Sequence, residues 1–265
     1  MATAKKTTTK PSTAVAVKKS TSVVSVQEMI ATQLAALSGK TAPGSGNKIR
    51  VTQDKQFILP DGTKTPGPIN AIILDFTSKN VWYENDFDKN SIVPPNCFAI
   101  NDLPSQLVPS PNSPDKQGDE NGMCAGCPQN AWGSGKNGGK ACKNMRELAL
   151  IVPSAENSPA DAPIWTIQTS PTAIKDFDGY VKNVQRTFGV PPVGVMTRIS
   201  FDENQTYARL VFDDAVPNED LAECLGRIDE AKEILAIEPD VSSFGQVQPS
   251  RKAAPARRAP ATARR

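Results

Sequence analysis

Residues 124–146 read CAGCPQNAWGSGKNGGKACKNMR. Cys124, Cys127 and Cys142 stand in this stretch and Cys97 precedes it, giving C-x26-C-x2-C-x14-C in a chain with no histidine. Ala125-Gly126 lets both sulfurs of the C-x2-C pair turn onto one ion, which is half of a tetrahedral zinc site. Without imidazole, a four-ligand site must use four thiolates, or three thiolates and a carboxylate. Cys142 lies a loop's distance away. Cys97 follows Pro94-Pro95-Asn96 and opens the apolar run Cys97-Phe98-Ala99-Ile100, which makes it the natural fourth ligand. The expected cofactor is one structural Zn2+ on Cys97, Cys124, Cys127 and Cys142. A three-cysteine site or plain buried thiols are the alternatives, because the second pair departs from C-x2-C. A redox pair would open a helix, whereas Cys127 leads through Pro128-Gln129-Asn130 into glycine-rich loop. Cys224 falls on an expected helix and is left out of the set.

The same stretch resembles a phosphate loop and fails its test. G-x-x-x-x-G-K-[ST] needs glycine where Ser134 stands and Ser or Thr where Ala141 stands. A second chemistry fits better. Lys136, Lys140, Lys143 and Arg146 follow Trp132 in a loop held at both ends by proposed ligands. Cations track a phosphate backbone, and an indole stacks a base. The alternative is that Trp132 packs under the loop and the lysines only solvate it. Trp82 and Tyr83, next to Lys79, make a further stacking candidate, of which one ring at most faces a given side of a strand. Arg198 and Arg209 fall on a late hairpin, where they line a groove or stand as solvated strand positions.

The chain has 265 residues, 30 basic and 28 acidic. Residues 1–20 carry five lysines and no acid, and residues 251–265 carry six basic residues and no acid. Removing those eleven from the 30 leaves 19 basic against 28 acidic residues, so two basic arms flank an acidic body. Such arms bury too little apolar surface to fold alone, and they gain affinity for nucleic acid by releasing counterions. The sequence divides into a basic flexible arm at 1–47 with a short amphipathic helix at 22–38, a folded body at 48–245 with its zinc loop at 97–146, and a basic disordered tail at 246–265. No apolar run reaches the length of a membrane span, and no export signal is visible, so a reducing, intracellular setting is expected.

Strands are expected at 69–76, 81–84, 97–100, 147–152, 163–168, 193–201 and 206–212, from their β-branched and aromatic content. Residues 103–121 hold four prolines and read as a long loop. Ser170-Pro171 starts a helix with Ile174, Phe177, Tyr180, Val181, Val184 and Phe188 on one face, stopped by Gly189. A second helix runs over 219–236, capped by Asn218, with Leu221, Leu225, Ile228 and Leu235 inside. The expected class is α+β, mainly β: an OB-like barrel with a zinc-binding loop insertion and flanking helices. Catalysis finds no support, since there is no histidine for a nucleophile–base pair and no acidic cluster with nuclease spacing.

The run Cys124-x2-Cys127-Pro128-x-Asn130-x-Trp132-Gly133-Ser134, then Gly139-Lys140-x-Cys142, resembles a motif of tailed-bacteriophage proteins, some of them single-stranded DNA-binding proteins of the OB type. Residues 170–180 and 195–200 fit the same family. The resemblance implies Cys124, Cys127 and Cys142 as metal ligands. It further implies a non-enzymatic role on single-stranded DNA in phage replication or recombination, in the host cytoplasm, with other replication or recombination proteins as candidate partners. The chain departs from many such proteins in ending on RRAPATARR and not on an acidic tail. A structural or DNA-packaging phage protein, using its arms on nucleic acid or a partner shell, is the alternative. Oligomeric state is not legible.

Overall fold

The structure, a computed structural model, describes residues 46–86, 88, 93–154 and 158–245. The expected helix at 22–38 and both basic arms lie outside those residues. The class is α+β, mainly β, with antiparallel sheets. β1 (Arg50–Val51), β2 (Phe57–Ile58) and β3 (Lys64–Thr65) form a small meander. It is pinned to the main body by Phe57, which stacks on Phe201 at 4.3 Å between ring centroids.

The main sheet has six strands: β4 (Ile69–Trp82), β5 (Cys97–Asn101), β6 (Lys143–Ile151), β7 (Trp165–Gln168), β8 (Val195–Phe201) and β9 (Leu210–Pro217). The order is β7-β6-β4-β8-β9. β4 is the spine. It pairs with β6 along 72–81, with β8 along 69–72 and with β5 along 78–82. The two strands expected at 69–76 and 81–84 are therefore one, because Thr77–Asn80 between them are buried polar residues, not a turn.

α1 (Ile174–Phe188) covers one face of the sheet. Phe177, Tyr180 and Val184 pack there against Ile73, Leu148, Leu150, Val195 and Phe212. Phe188, expected inside, is exposed. The start is a single 3-10 turn, Pro171–Ala173, and the stop is Gly189 in the left-handed region at φ 70°, a conformation that costs glycine little. The opposite face is covered by α2 (Leu221–Leu225) and α3 (Ile228–Leu235), whose Cys224, Ala231 and Leu235 meet Ile72, Leu74, Ala149 and Ile151. The expected continuous helix breaks at Gly226-Arg227. Arg227 turns inward to the carbonyls of Pro159 and Ala162, and this rotation leaves Leu225 exposed and puts Cys224 inside.

The expected barrel closure is not seen: the sheet is open, with β7 and β9 at its ends. The physical reason is burial on both faces. A small barrel hides one face inside itself, whereas here each face already has a helical cover. The loop at 103–121 is tied down. Ser110 N–H reaches Phe98 O at 2.8 Å, Asp115 N–H reaches Asn96 O at 2.8 Å, and Glu238 accepts from Ser110 Oγ at 2.6 Å and Asn112 Nδ2 at 2.7 Å. No helix among the described residues is long and apolar enough to cross a membrane.

Phe177 is fully buried between the sheet and α1, in edge contact with Phe76 and Phe212. Phe177→Ala should lower unfolding free energy by about 3–5 kcal/mol in a urea titration. Leu225→Ala, on the outer side of α2, should change it by no more than about 0.5 kcal/mol.

Candidate metal centre and nucleic-acid interface

The register of β4 builds the thiol site. Trp82 pairs directly with Cys97 on β5, and Val81 pairs with Lys143 on β6, so Cys142 arrives beside Trp82 from the other side. Trp82, Cys97 and Cys142 form one small buried cluster. The loop after β5 returns to deliver Cys124, whose N–H donates to Leu107 O at 3.0 Å. Cys127 follows through a turn closed by Cys127 N–H on Cys124 O at 3.4 Å and braced by Asn130 Nδ2 on Cys124 O at 2.8 Å. Gly126 is needed in that turn, since a Cβ there would meet the Asp119 carboxylate at 2.5 Å.

All four sulfur-bearing residues line one cavity of about 10 Å3, together with Asn80, Trp82, Gln117 and Asn130. That is room for one water-sized centre. All four are free cysteines and buried. Burial pushes the Cys142 thiol up to about 12 and the Cys124 thiol up to about 11, and the neighbouring cysteines add to both shifts. Gln117 N–H points at Cys97 Sγ at 3.4 Å. Among the described residues, no three or more His, Cys, Asp or Glu side chains converge tightly enough to hold a metal ion as they stand. The four thiols thus face a shared cavity without closing on its centre. Metal binds the thiolate, so a bound zinc would displace the thiol protons and draw such a set together. Cys224 lies elsewhere, buried under α2.

The glycine-rich loop between Cys127 and Cys142 is held by its own backbone. Gly133 and Gly135 N–H groups donate to Gly139 O at 3.1 and 2.9 Å, and Ser134 Oγ bridges Gln129 O, Ala131 O and Ala141 N–H. Ser134, the residue that fails the phosphate-loop pattern, is thus the hub of the loop. At Gly135 a Cβ would meet Lys140 and Ala141 backbone at 2.8 Å. The loop presents Trp132 with 80 % of its surface exposed, and Lys140 Nζ stands 5.6 Å from the ring centroid. Lys140 also reaches Asn130 and Asn144 at 3.1 Å each. Lys143 is exposed, and Lys136 pairs with Asp86 at the surface.

Of the remaining expected binding residues, Trp82 and Tyr83 line a cavity with Lys136 and Lys143, and the others are held in separate contacts. Lys79 is 7 % exposed and its ammonium lies 2.9 Å from Glu147, itself buried. Trp82 is buried against the thiols, while its neighbour Tyr83 is 44 % exposed, as strand alternation requires. Arg146 is held inward by Asp178 on α1, at 3.2 and 3.0 Å, and by Ser78 at 3.0 Å. Arg198 pairs with Asp214 at 3.0 Å. Arg209 pairs with Asp176 and, at 3.6 Å, with Asp202. Lys79 and Arg146 are thus internal ion-pair members, and the two hairpin arginines are engaged by acids across the strand or on α1. Sequence reading passed over Asn80, Gln117 and Asn130 around the thiols. Only the position of Asn130, three residues past Cys127 in the quoted motif, carried a signal.

Among the described residues, Glu147 is the sole carboxylate within ion-pair reach of Lys79. Removing one member of a buried pair leaves the other charge uncompensated, at about 3–5 kcal/mol. Glu147→Ala should therefore destabilise the fold by about that amount in chemical denaturation, and Lys79→Met combined with it should recover most of the loss. No protein-family model, no curated protein and no solved structure matches this chain.

Proposed function

We propose that the chain is a non-enzymatic single-stranded DNA-binding protein, stapled by one structural zinc, that coats single strands in phage replication or recombination. The observation that supports it most is the exposed indole of Trp132, with Lys140 over its face, on a loop whose ends run back to four cysteines around one cavity. Cys97, Cys124, Cys127 and Cys142 would hold the metal. A zinc with four thiolates keeps no open position for water, so it would stiffen the loop and take no part in chemistry. A loop already ordered loses less entropy when it binds. Trp132 would stack a base, and Lys140 and Lys143 would meet phosphates. The phage setting comes from the motif resemblance. The reading does not need a closed barrel, because its binding elements sit on the loop and not inside a sheet.

The purified chain should carry about one zinc by elemental analysis. Cys124→Ser should lose that metal and melt at lower temperature, since metal binding is folding free energy, whereas Cys224→Ser should keep it. Metal-free protein with all five thiols reactive in the native state contradicts the centre. Oligo(dT) should quench part of the tryptophan emission. Trp132→Ala should weaken binding by about 1–3 kcal/mol with zinc content and melting temperature unchanged. A folded, zinc-loaded Trp132→Ala variant that binds single strands like the parent removes the loop from the interface. Equal competition by duplex DNA favours the packaging reading.

A further inference from the structure

Three surface cavities share lining residues in series, from the glycine-rich loop to Arg50, and outline a trough. The middle lobe, about 300 Å3, lies between β4, β6 and the segment after α3, with Lys79, Lys143, Met145 and Glu147 on its floor. It shares Tyr83 and Lys143 with a lobe of about 690 Å3 that reaches the glycine-rich loop at Gly135 and Lys136. It shares Lys48, Met145 and Gln168 with a lobe of about 560 Å3 that reaches Arg50 and Tyr207.

The charges along this trough are uneven. The lobe at Arg50 and Lys48 has no acid among its lining residues. In the middle lobe Lys48, Lys79 and Lys143 face Glu147 and Glu238. Both carboxylates are already engaged: Glu147 by Lys79 at 2.9 Å and Gln168 at 3.1 Å, Glu238 by Ser110 and Asn112. Lys48 stands 3.7 Å from Glu147, and burial lowers its pKa, with Lys79 adding to that against the pull of Glu147. An incoming anion offsets this crowding of ammonium groups. In the third lobe Glu84, Asp86 and Asp88 outnumber Lys136 and Lys143. Two half-exposed tyrosines, Tyr83 at 44 % and Tyr207 at 45 %, stand at the two ends of the cationic stretch.

We infer that single-stranded DNA lies in this trough, with phosphates along Lys143, Lys48 and Arg50, bases stacked on Tyr83 and Tyr207, and the acidic lobe ending its path. Cations spaced along a groove with aromatic rings between them are what a flexible polyanion with stacking bases requires. The inference rests on the single-strand reading above and gives it a second surface. Lys143, Met145 and Glu147 project from one face of β6, and Asn144 and Arg146 from the other. Lys140, over Trp132, bonds Asn144. The trough and the indole therefore lie on opposite sides of the sheet end, and a strand that uses both must pass round it.

The test uses the full chain and labelled oligo(dT) of about 5 and about 15 nucleotides, within the range of single-strand site sizes. Arg50 and Tyr207 are exposed, so Arg50→Glu and Tyr207→Ala leave the core intact. Each should weaken the 15-mer by about tenfold, the scale of one stacked base or one lost phosphate contact. Arg50→Glu should also flatten the slope of log K against log salt by about 0.7. Arg186→Glu, exposed on α1, should stay within about twofold of the parent. The 15-mer should gain over the 5-mer in the parent and lose that gain in Arg50→Glu. If the parent binds and Trp132→Ala weakens it, but Arg50→Glu and Tyr207→Ala bind like the parent, the trough is overturned and the single-strand reading stands. If the parent binds no single strand, that reading falls and the trough with it.

Discussion

The antiparallel ladder between 72–81 of β4 and 143–151 of β6 is the constraint from which the rest of the structure follows. Its upper half is apolar on both sides, Ile72, Ile73 and Leu74 against Leu148, Ala149, Leu150 and Ile151, and this feeds two cores at once. Its lower half changes character. Ser78, Lys79, Asn80, Asn144, Arg146 and Glu147 take over, and each finds a partner within the ladder or just beyond it. The ladder ends where Trp82 is flanked by Cys97 and Cys142. A slip of one residue would send Lys79 and Glu147 into the α1 face and turn Cys142 away from the cavity.

That ladder also shows what the sequence disclosed and what it hid. The cysteines were legible because their chemistry leaves few partners: with no histidine, thiols that share an ion must find one another. The choice of Cys97 over Cys224 followed from its place at the mouth of a strand, and the structure puts it on the same cavity as the other three. Element types in the core were legible from periodicity and from Pro171 and Gly189. The barrel was not. The runs 71–74 and 148–151 are continuously apolar, the mark of strands buried on both faces, and a barrel strand alternates. Read that way, they ask for helices on both sides of the sheet.

The partners of the cations were hidden for a different reason. A sequence shows that Lys79 and Arg146 exist but not what stands opposite. Both proved to lie 68 residues from one of their partners, Glu147 and Ser78 respectively. Only the strand register brings such groups together. The break at Gly226-Arg227 is similar: its cause is the grip of Arg227 on Pro159 O and Ala162 O, far upstream in the chain.

The charge balance of the body bears on how such a protein would meet a polyanion. Outside the basic arms, acids outnumber bases 28 to 19 once the eleven arm cations are taken from 30. A uniform acidic surface would repel DNA. Screening confines each exposed charge to about 8 Å at physiological salt, however, so the local arrangement outweighs the total. Several cations of the body are engaged in ion pairs, among them Arg146 with Asp178, Arg198 with Asp214, Arg209 with Asp176 and Arg227 with Glu230. Lys140 and Lys143 stand near the lower end of the ladder, whereas Lys48 and Arg50 flank the core residue Ile49. Lys140 stands over the exposed indole, and Lys48, Arg50 and Lys143 line the trough. The same strand that anchors the cores thus leads to a region where cations and open aromatic rings occur together. A metal at the thiol cavity would act between these two surfaces, holding the loop that carries one and the end of β6 that floors the other.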